Sequence, residues 1–233
     1  MAKRKKQLEK SQIEKKIVEL EMQALQAQMN PHFIFNCVSG IQYYILANKQ
    51  EEVMDYLSDF SRVVRESLAN ATLQMIPLEQ EIYFLHSYLR LEQMRFPDKF
   101  EYEIICHSRL EAGFVRNPPM LVQPFTENAI RHGFTDLERK GHMAIIFEIA
   151  GTDLLKCTIT DNGRGRCTES KDSYLNLQEE RLHSAAITEN RIRLFNNPDA
   201  PDKYRIIYTD LSENENPCGL KVELYMPMEQ GNG

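Results

Sequence analysis

The heptapeptide Asn30-Pro31-His32-Phe33-Ile34-Phe35-Asn36 sets an imidazole directly behind a proline in the middle of a helical pattern. Inside a helix, proline removes one hydrogen bond and clashes with the preceding turn. Asn30-Pro31 also reads as a restart, with asparagine as N-cap and proline at the first helical position. From there Ile34, Val38, Ile41 and Ile45 line one helical face. His32, Asn36, Ser39 and Tyr43 fall about 180° away at 100° per residue. A histidine at a helix start can cap, face solvent or fill a core. An exposed imidazole, with an unperturbed pKa of about 6.5, is also a largely neutral nucleophile near pH 7.

Two further stretches carry chemistry-bearing residues. Gln123 to Phe134, "QPFTENAIRHGF", puts Glu127 beside Asn128, with Arg131 and His132 one helical turn on. Carboxylate and amide oxygens are hard ligands that suit Mg²⁺, and the Arg131 and His132 side chains could meet phosphate oxygens. The bland alternative is a surface helix with local ion pairs. Thr160 to Arg166, "TDNGRGR", comes directly after a strand-like run that ends on Asp161. Gly163 and Gly165 free the backbone for a close approach by a ligand, and a carboxylate there could accept the exocyclic amine of adenine. Asp-Asn-Gly is equally a common turn. Residues 166–190 are polar and long, either a mobile loop over a site or a surface connection. No glycine-rich phosphate loop of the G-x-x-x-x-G-K type, dinucleotide fingerprint, H-x-x-x-H or G-x-S-x-G occurs.

These residues need elements to hold them. Over 11–29, Ile13, Ile17, Leu20, Ala24 and Ala27 form one apolar stripe, and Val18, Met22, Leu25 and Met29 a second. A helix apolar on two sides belongs in a multi-helix bundle or a dimer. Val53, Leu57, Phe60, Val64 and Leu68 predict a helix over 50–69, and Leu78, Ile82, Leu85 and Leu89 predict another that ends near Phe96-Pro97. The pattern then changes to short β-branched or aromatic runs at 100–107, 143–150, 154–161, 203–211 and 220–227, with helices expected at Met120 to His132 and Asn176 to Phe195. This order predicts an α+β chain, with a helical domain over 1–96 and a layered α/β sandwich over 97–233.

Of the 233 residues, 27% are charged and the net charge is -6, which argues against a nucleic-acid binder. Five scattered cysteines form no metal or disulfide pattern and fit a reducing compartment. The first sixteen residues are basic, read either as a solvated helix end or as a juxtamembrane segment below an anchor that lies upstream.

In their order, "NPHFIFN", "PFTENAIRHG" and "DNGRG" resemble the LytS-like family of sensor histidine kinases. The resemblance spans residues 18 to 228 and implies the histidine-kinase-type (GHKL, Bergerat) ATPase fold after a helical dimerisation domain. It implies ATP and Mg²⁺ as ligands, His32 as phospho-acceptor, and Asn128 as the Mg²⁺ ligand of the N-box with Glu127 beside it. It further implies Asp161 as the adenine reader with Gly163 and Gly165, and phosphate contacts from Arg131 and His132. The implied partners are a second copy of the chain and a response regulator whose aspartate receives the phosphate. The implied place is the cytoplasm, as the cytosolic part of an inner-membrane sensor. Two features depart from the wider group. Phe33, not an acid, comes after the histidine, and the lid stretch His183 to Asn190 has no glycine. The second departure leaves open a non-catalytic dimeric scaffold that binds nucleotide and regulates a partner.

Overall fold

The computed structural model describes residues 31–70, 73–135, 137–151, 153–165, 204–213 and 216–230. The helices expected over 11–29 and 176–195, and the stretch 166–190, lie outside the described residues. Contacts divide the chain into two compact units, 1–72 and 73–233. This division falls upstream of the expected domain change at 96/97, because the helix over 78–95 packs on the strand after it. The turn Phe96–Lys99, closed by Lys99 N–H to Phe96 O at 3.2 Å, therefore lies inside the second unit.

The first unit is a helical hairpin of α1 (Pro31–Leu46) and α2 (Gln50–Asn70). The described part of α1 begins at Pro31, and the expected restart at Asn30-Pro31 turns on residues outside the described ones. Asn48 turns the chain at a φ of 60°, a conformation asparagine tolerates. The face of α1 that is buried carries Cys37, Gly40 and Tyr44. A Cβ on Gly40 would stand 2.8 Å from the Tyr56 hydroxyl, so glycine lets the Tyr56 ring lie against α1. Tyr44 and Tyr56 then meet with ring centroids 5.9 Å apart. The aliphatic stripe expected to be the core face behaves differently: Val38 and Ile45 are 44% and 59% exposed. In α2 the buried residues include Tyr56, Asp59 and Val63, not the predicted Val53–Leu57–Val64 row. Among the described residues the core of the hairpin is Cys37, Tyr44, Tyr56 and Val63, while the expected stripes are half-buried and at Val38, Ile45 and Leu68 exposed.

The second unit is built on a five-stranded sheet. Its strands are β2 (Phe100–Cys106), β4 (Gly141–Ala150), β5 (Leu154–Asp161), β6 (Arg205–Glu213) and β7 (Asn216–Pro227). They lie in the order β2-β4-β5-β7-β6. β2 and β4 are parallel and the other pairs antiparallel. Short strands β1 (Ile76–Pro77), β3 (Val115–Asn117) and β8 (Glu229–Gln230) make a second small sheet that the sequence pattern did not announce. In β4, β5 and β7 burial alternates with period two, so Met143, Ile145, Phe147, Leu155, Cys157, Ile159, Val222, Leu224 and Met226 make one buried face. α3 (Leu78–Arg95) is buried along much of its length. The parallel pair β2–β4 requires a crossover. That crossover contains α4 (Gln123–Asn128), which runs directly into a π-helical turn, Ala129–Gly133. The helix expected from Met120 to His132 is thus shorter at its start and wider at its end. Met120 stands outside it at a φ of 53°.

Candidate functional site

The parity of β5 decides where Asp161 points. Leu155, Cys157 and Ile159 face the core, and Asp161 is the next residue on the same side. A carboxylate is thereby delivered to the buried face at the strand's end, and it is only 6% exposed. Asp161 Oδ1 accepts the N–H of Gly163 at 2.9 Å, the local bond that closes an Asp-Asn-Gly turn. Asn162 pins the turn from outside. Its Oδ1 accepts His142 N–H at 2.7 Å, its own N–H donates to His142 O at 3.1 Å, and its carbonyl accepts from Arg139. Gly165 adopts a φ of 66°, which glycine accepts without strain.

The π turn meets this carboxylate. Phe134 N–H donates to Ala129 O at 2.9 Å, one residue further back than an α-helix allows. The widened turn brings Phe134 into the core, where it stacks on Phe100 at 5.8 Å. It also brings Gly133 against Asp161 and Gly163. A Cβ on Gly163 would lie 2.6 Å from Gly133 Cα, and one on Gly133 would lie 3.3 Å from Asp161 Oδ1. Arg164 N–H completes the junction by donating to Gly133 O at 3.0 Å. The backbone that approaches Gly163 most closely is therefore that of Gly133, not only that of a ligand as the sequence suggested. Gly219, at a φ of 146°, closes the third side, where a Cβ would collide with the Asp161 carbonyl.

Glu127 and Asn128 are the last residues of α4, while Arg131 and His132 sit on the π turn, all four half-buried. Arg131 Nη1 pairs with Glu127 Oε1 at 3.4 Å. So Glu127, Asn128, Arg131, His132, Asp161, Gly163 and Gly165 belong to one unit, in which the Gly133–Gly163 contact joins the π turn bearing Arg131 and His132 to the Asp161 turn. His32 belongs to the other unit, in the first turn of α1, and its side chain is outside what is described.

Sequence reasoning passed over two residues. Asn162 holds the turn, and Glu92 of α3 feels the charges of the Glu127–Arg131 pair. Glu92 is buried and bonded to Arg95 at 3.2 Å. Burial pushes its carboxyl up to about 7, with the Glu127 charge adding to the rise and Arg95 and Arg131 opposing it. The available signal was an acid placed among apolar positions of α3.

These residues fit a nucleotide with Mg²⁺. A buried carboxylate beside three close glycines suits the amine edge of a planar base. Among the described residues no group of three or more His, Cys, Asp or Glu could hold a metal. The hard oxygens of Glu127 and Asn128 suit an ion that completes its shell with phosphate and water oxygens, as Mg²⁺ does. Among the described residues no helix is long and apolar enough to cross a membrane.

A family model described as "Histidine kinase" matches residues 20–100. Among curated relatives, the sensor protein LytS of Bacillus subtilis is 35% identical over 162 residues, covering 68% of this chain and 26% of that protein. The LytS of Oceanobacillus iheyensis is 34% identical over 190 residues, covering 81% and 31%. The chain belongs to the LytS-like sensor histidine kinases and spans less than a third of the length of these relatives. A histidine kinase domain from Erythrobacter litoralis overlays with a TM-score of 0.48 and 16% identity, covering 91% of this chain and 96% of that one. That likeness is too weak to bear on the chemistry.

Proposed function

We propose that the chain is the transmitter part of a two-component sensor, an ATP-dependent protein-histidine kinase that phosphorylates itself on His32. The observation that carries this reading is the junction of Gly133 with Gly163 around the buried Asp161 carboxylate. It unites two sequence-distant motifs at one place where adenine would be read. In this reading Asp161 accepts the adenine amine, and Gly163 and Gly165 shape the turn beside it. Arg131 and His132 meet phosphate oxygens. Asn128, with Glu127 beside it, would hold Mg²⁺, which when bound neutralises phosphate charge.

The His32 imidazole nitrogen attacks the γ-phosphorus in line as the bond to the ADP oxygen breaks, and the ring gives up its N–H proton. Phe33 cannot take that proton, so the acceptor is water or a group brought by the nucleotide-binding unit. Rate enhancement comes mainly from positioning and charge neutralisation. The two units must approach one another for this step. A second copy of the chain is the expected partner of the helical hairpin, and a response-regulator aspartate the acceptor of the phosphate.

The second reading, a nucleotide-binding scaffold without transfer, is favoured by the glycine-free stretch His183 to Asn190. Incubation with γ-labelled ATP and Mg²⁺ separates the two. Label bound to protein, lost in acid and kept in base, supports the kinase. Nucleotide binding with neither bound label nor released phosphate supports the scaffold, and released phosphate alone indicates a plain ATPase.

A further inference from the structure

The last registered pair of the β4–β5 ladder is Met143 with Asp161, and His142 and Asn162 stand opposite each other one step beyond it. In a regular antiparallel ladder such a pair exchanges two bonds between backbone groups. The first is made here, with Asn162 N–H donating to His142 O at 3.1 Å. The return bond takes another route. His142 N–H donates to the side-chain Oδ1 of Asn162 at 2.7 Å, and the Asn162 carbonyl accepts from the Arg139 guanidinium instead. The amide oxygen thus replaces the backbone carbonyl in the final rung, and the backbone is released to turn. Asparagine suits this place because its short side chain mimics a backbone acceptor.

The strand therefore ends with Asp161 still locked in the sheet, opposite Met143 on one side and Leu220 on the other. The next peptide already leads into Gly163, whose N–H closes on Asp161 Oδ1 at 2.9 Å. Asn162 is the middle residue of that turn, and alanine in its place would take the Oδ1 acceptor away from His142 N–H. We propose that Asn162, with Arg139 on its carbonyl, is a positioning residue that makes base reading strict by holding the Asp161 carboxylate still. This rests on the assignment of Asp161 as the adenine reader under the proposed function. A carboxylate accepts an amine and repels an oxygen presented at the same place. It rejects the wrong base only while it is unable to swing aside or admit water. Loss of the Asn162 bond should accordingly cut the preference for adenine over hypoxanthine, which carries an oxygen where adenine carries its amine. Contacts to the phosphates are common to both nucleotides and drop out of that preference.

The test is calorimetric titration of the whole chain with ADP and with inosine diphosphate, both with Mg²⁺, for the unaltered protein, Asn162→Ala and Asn162→Asp. The unaltered protein should prefer ADP by at least roughly tenfold. Asn162→Ala should lose at least roughly fivefold of that preference, mostly through weaker ADP binding, the scale of one charge-assisted hydrogen bond. Asn162→Asp keeps an oxygen for His142 N–H and should hold the preference within about twofold. Its added charge acts on both nucleotides alike and cancels in the ratio. Should Asn162→Ala fail to fold, Arg139→Met, a change at an exposed residue, should lose at least roughly threefold and is read in the same way. An unchanged preference in Asn162→Ala overturns the inference. So does an equal fall in both affinities, which general loosening of the fold produces, or a loss in Asn162→Asp as large as in Asn162→Ala. If the unaltered protein binds the two nucleotides alike, or binds neither, the Asp161 assignment itself fails and the inference falls with it.

Discussion

Replacing Glu92 with glutamine removes a group whose ionisation the fold resists. The carboxyl moves from 4.5 to about 7 on folding, mainly through burial. Between those two values the folded state holds a proton that the unfolded chain has released. By linkage, stability then falls as pH rises from 4.5 to about 7, and the penalty is complete above that. At about 1.36 kcal/mol per pKa unit the penalty is about 3 kcal/mol. Glutamine keeps the size and the acceptor for Arg95 but carries no charge. Near pH 4.5 the protein and Glu92→Gln should melt alike. By about pH 7.5 the variant should be the more stable by about 3 kcal/mol, on the order of 6–12 °C in Tm for a unit of this size. Thermal melts at half-unit pH steps, monitored by near-ultraviolet circular dichroism, supply the comparison. Two melting curves that stay parallel across the range would refute the reasoning, because Glu92 would then titrate equally in both states.

Asp161→Asn should weaken ADP binding roughly ten- to a hundredfold, about 1.5–3 kcal/mol for one charge-assisted hydrogen bond, as read by calorimetry. Gly163→Ala places a Cβ 2.6 Å from Gly133 Cα. The backbones must part, so it should cost about 1–3 kcal/mol in a denaturant melt and weaken nucleotide binding as well. The chain should sediment as a homodimer at micromolar concentration, since Val38 and Ile45 are 44% and 59% exposed on a helix whose contact with the other described residues lies elsewhere. Val38→Glu combined with Ile45→Glu should shift it to monomer while α-helical circular dichroism persists.

Period and parity made the strands of the five-stranded sheet and two helix starts legible from sequence. The alternation in "LLKCTITD" points Asp161 inward with Leu155, Cys157 and Ile159, and that is where it lies. The helix starts at Gln50 and Leu78 also agree with the pattern. Helix faces were less legible, because apolarity marks a surface that needs cover without saying which partner covers it. In α1 the intrachain contact uses Gly40 and Tyr44, which an aliphatic stripe does not reveal. In α3 the buried face includes Phe84, Tyr88, Glu81 and Glu92, and acids count against burial in any hydrophobic pattern. The π turn was invisible for a different reason. Its extra residue is imposed by where Phe134 must reach beside Phe100 and where Gly133 must meet Gly163, both long-range demands. The role of Asn162 was hidden in the same way, since its partners come from His142 and Arg139.

Whether the phosphate leaves ATP for one imidazole can be measured directly. Mass spectrometric mapping under alkaline conditions, after incubation with ATP and Mg²⁺, locates the modified residue. The predicted result is a phosphate on His32 in the unaltered chain and none in His32→Gln, with the variant still binding ADP normally. A phosphate on any other residue, or one that persists in His32→Gln, would contradict the assignment of His32 as the acceptor.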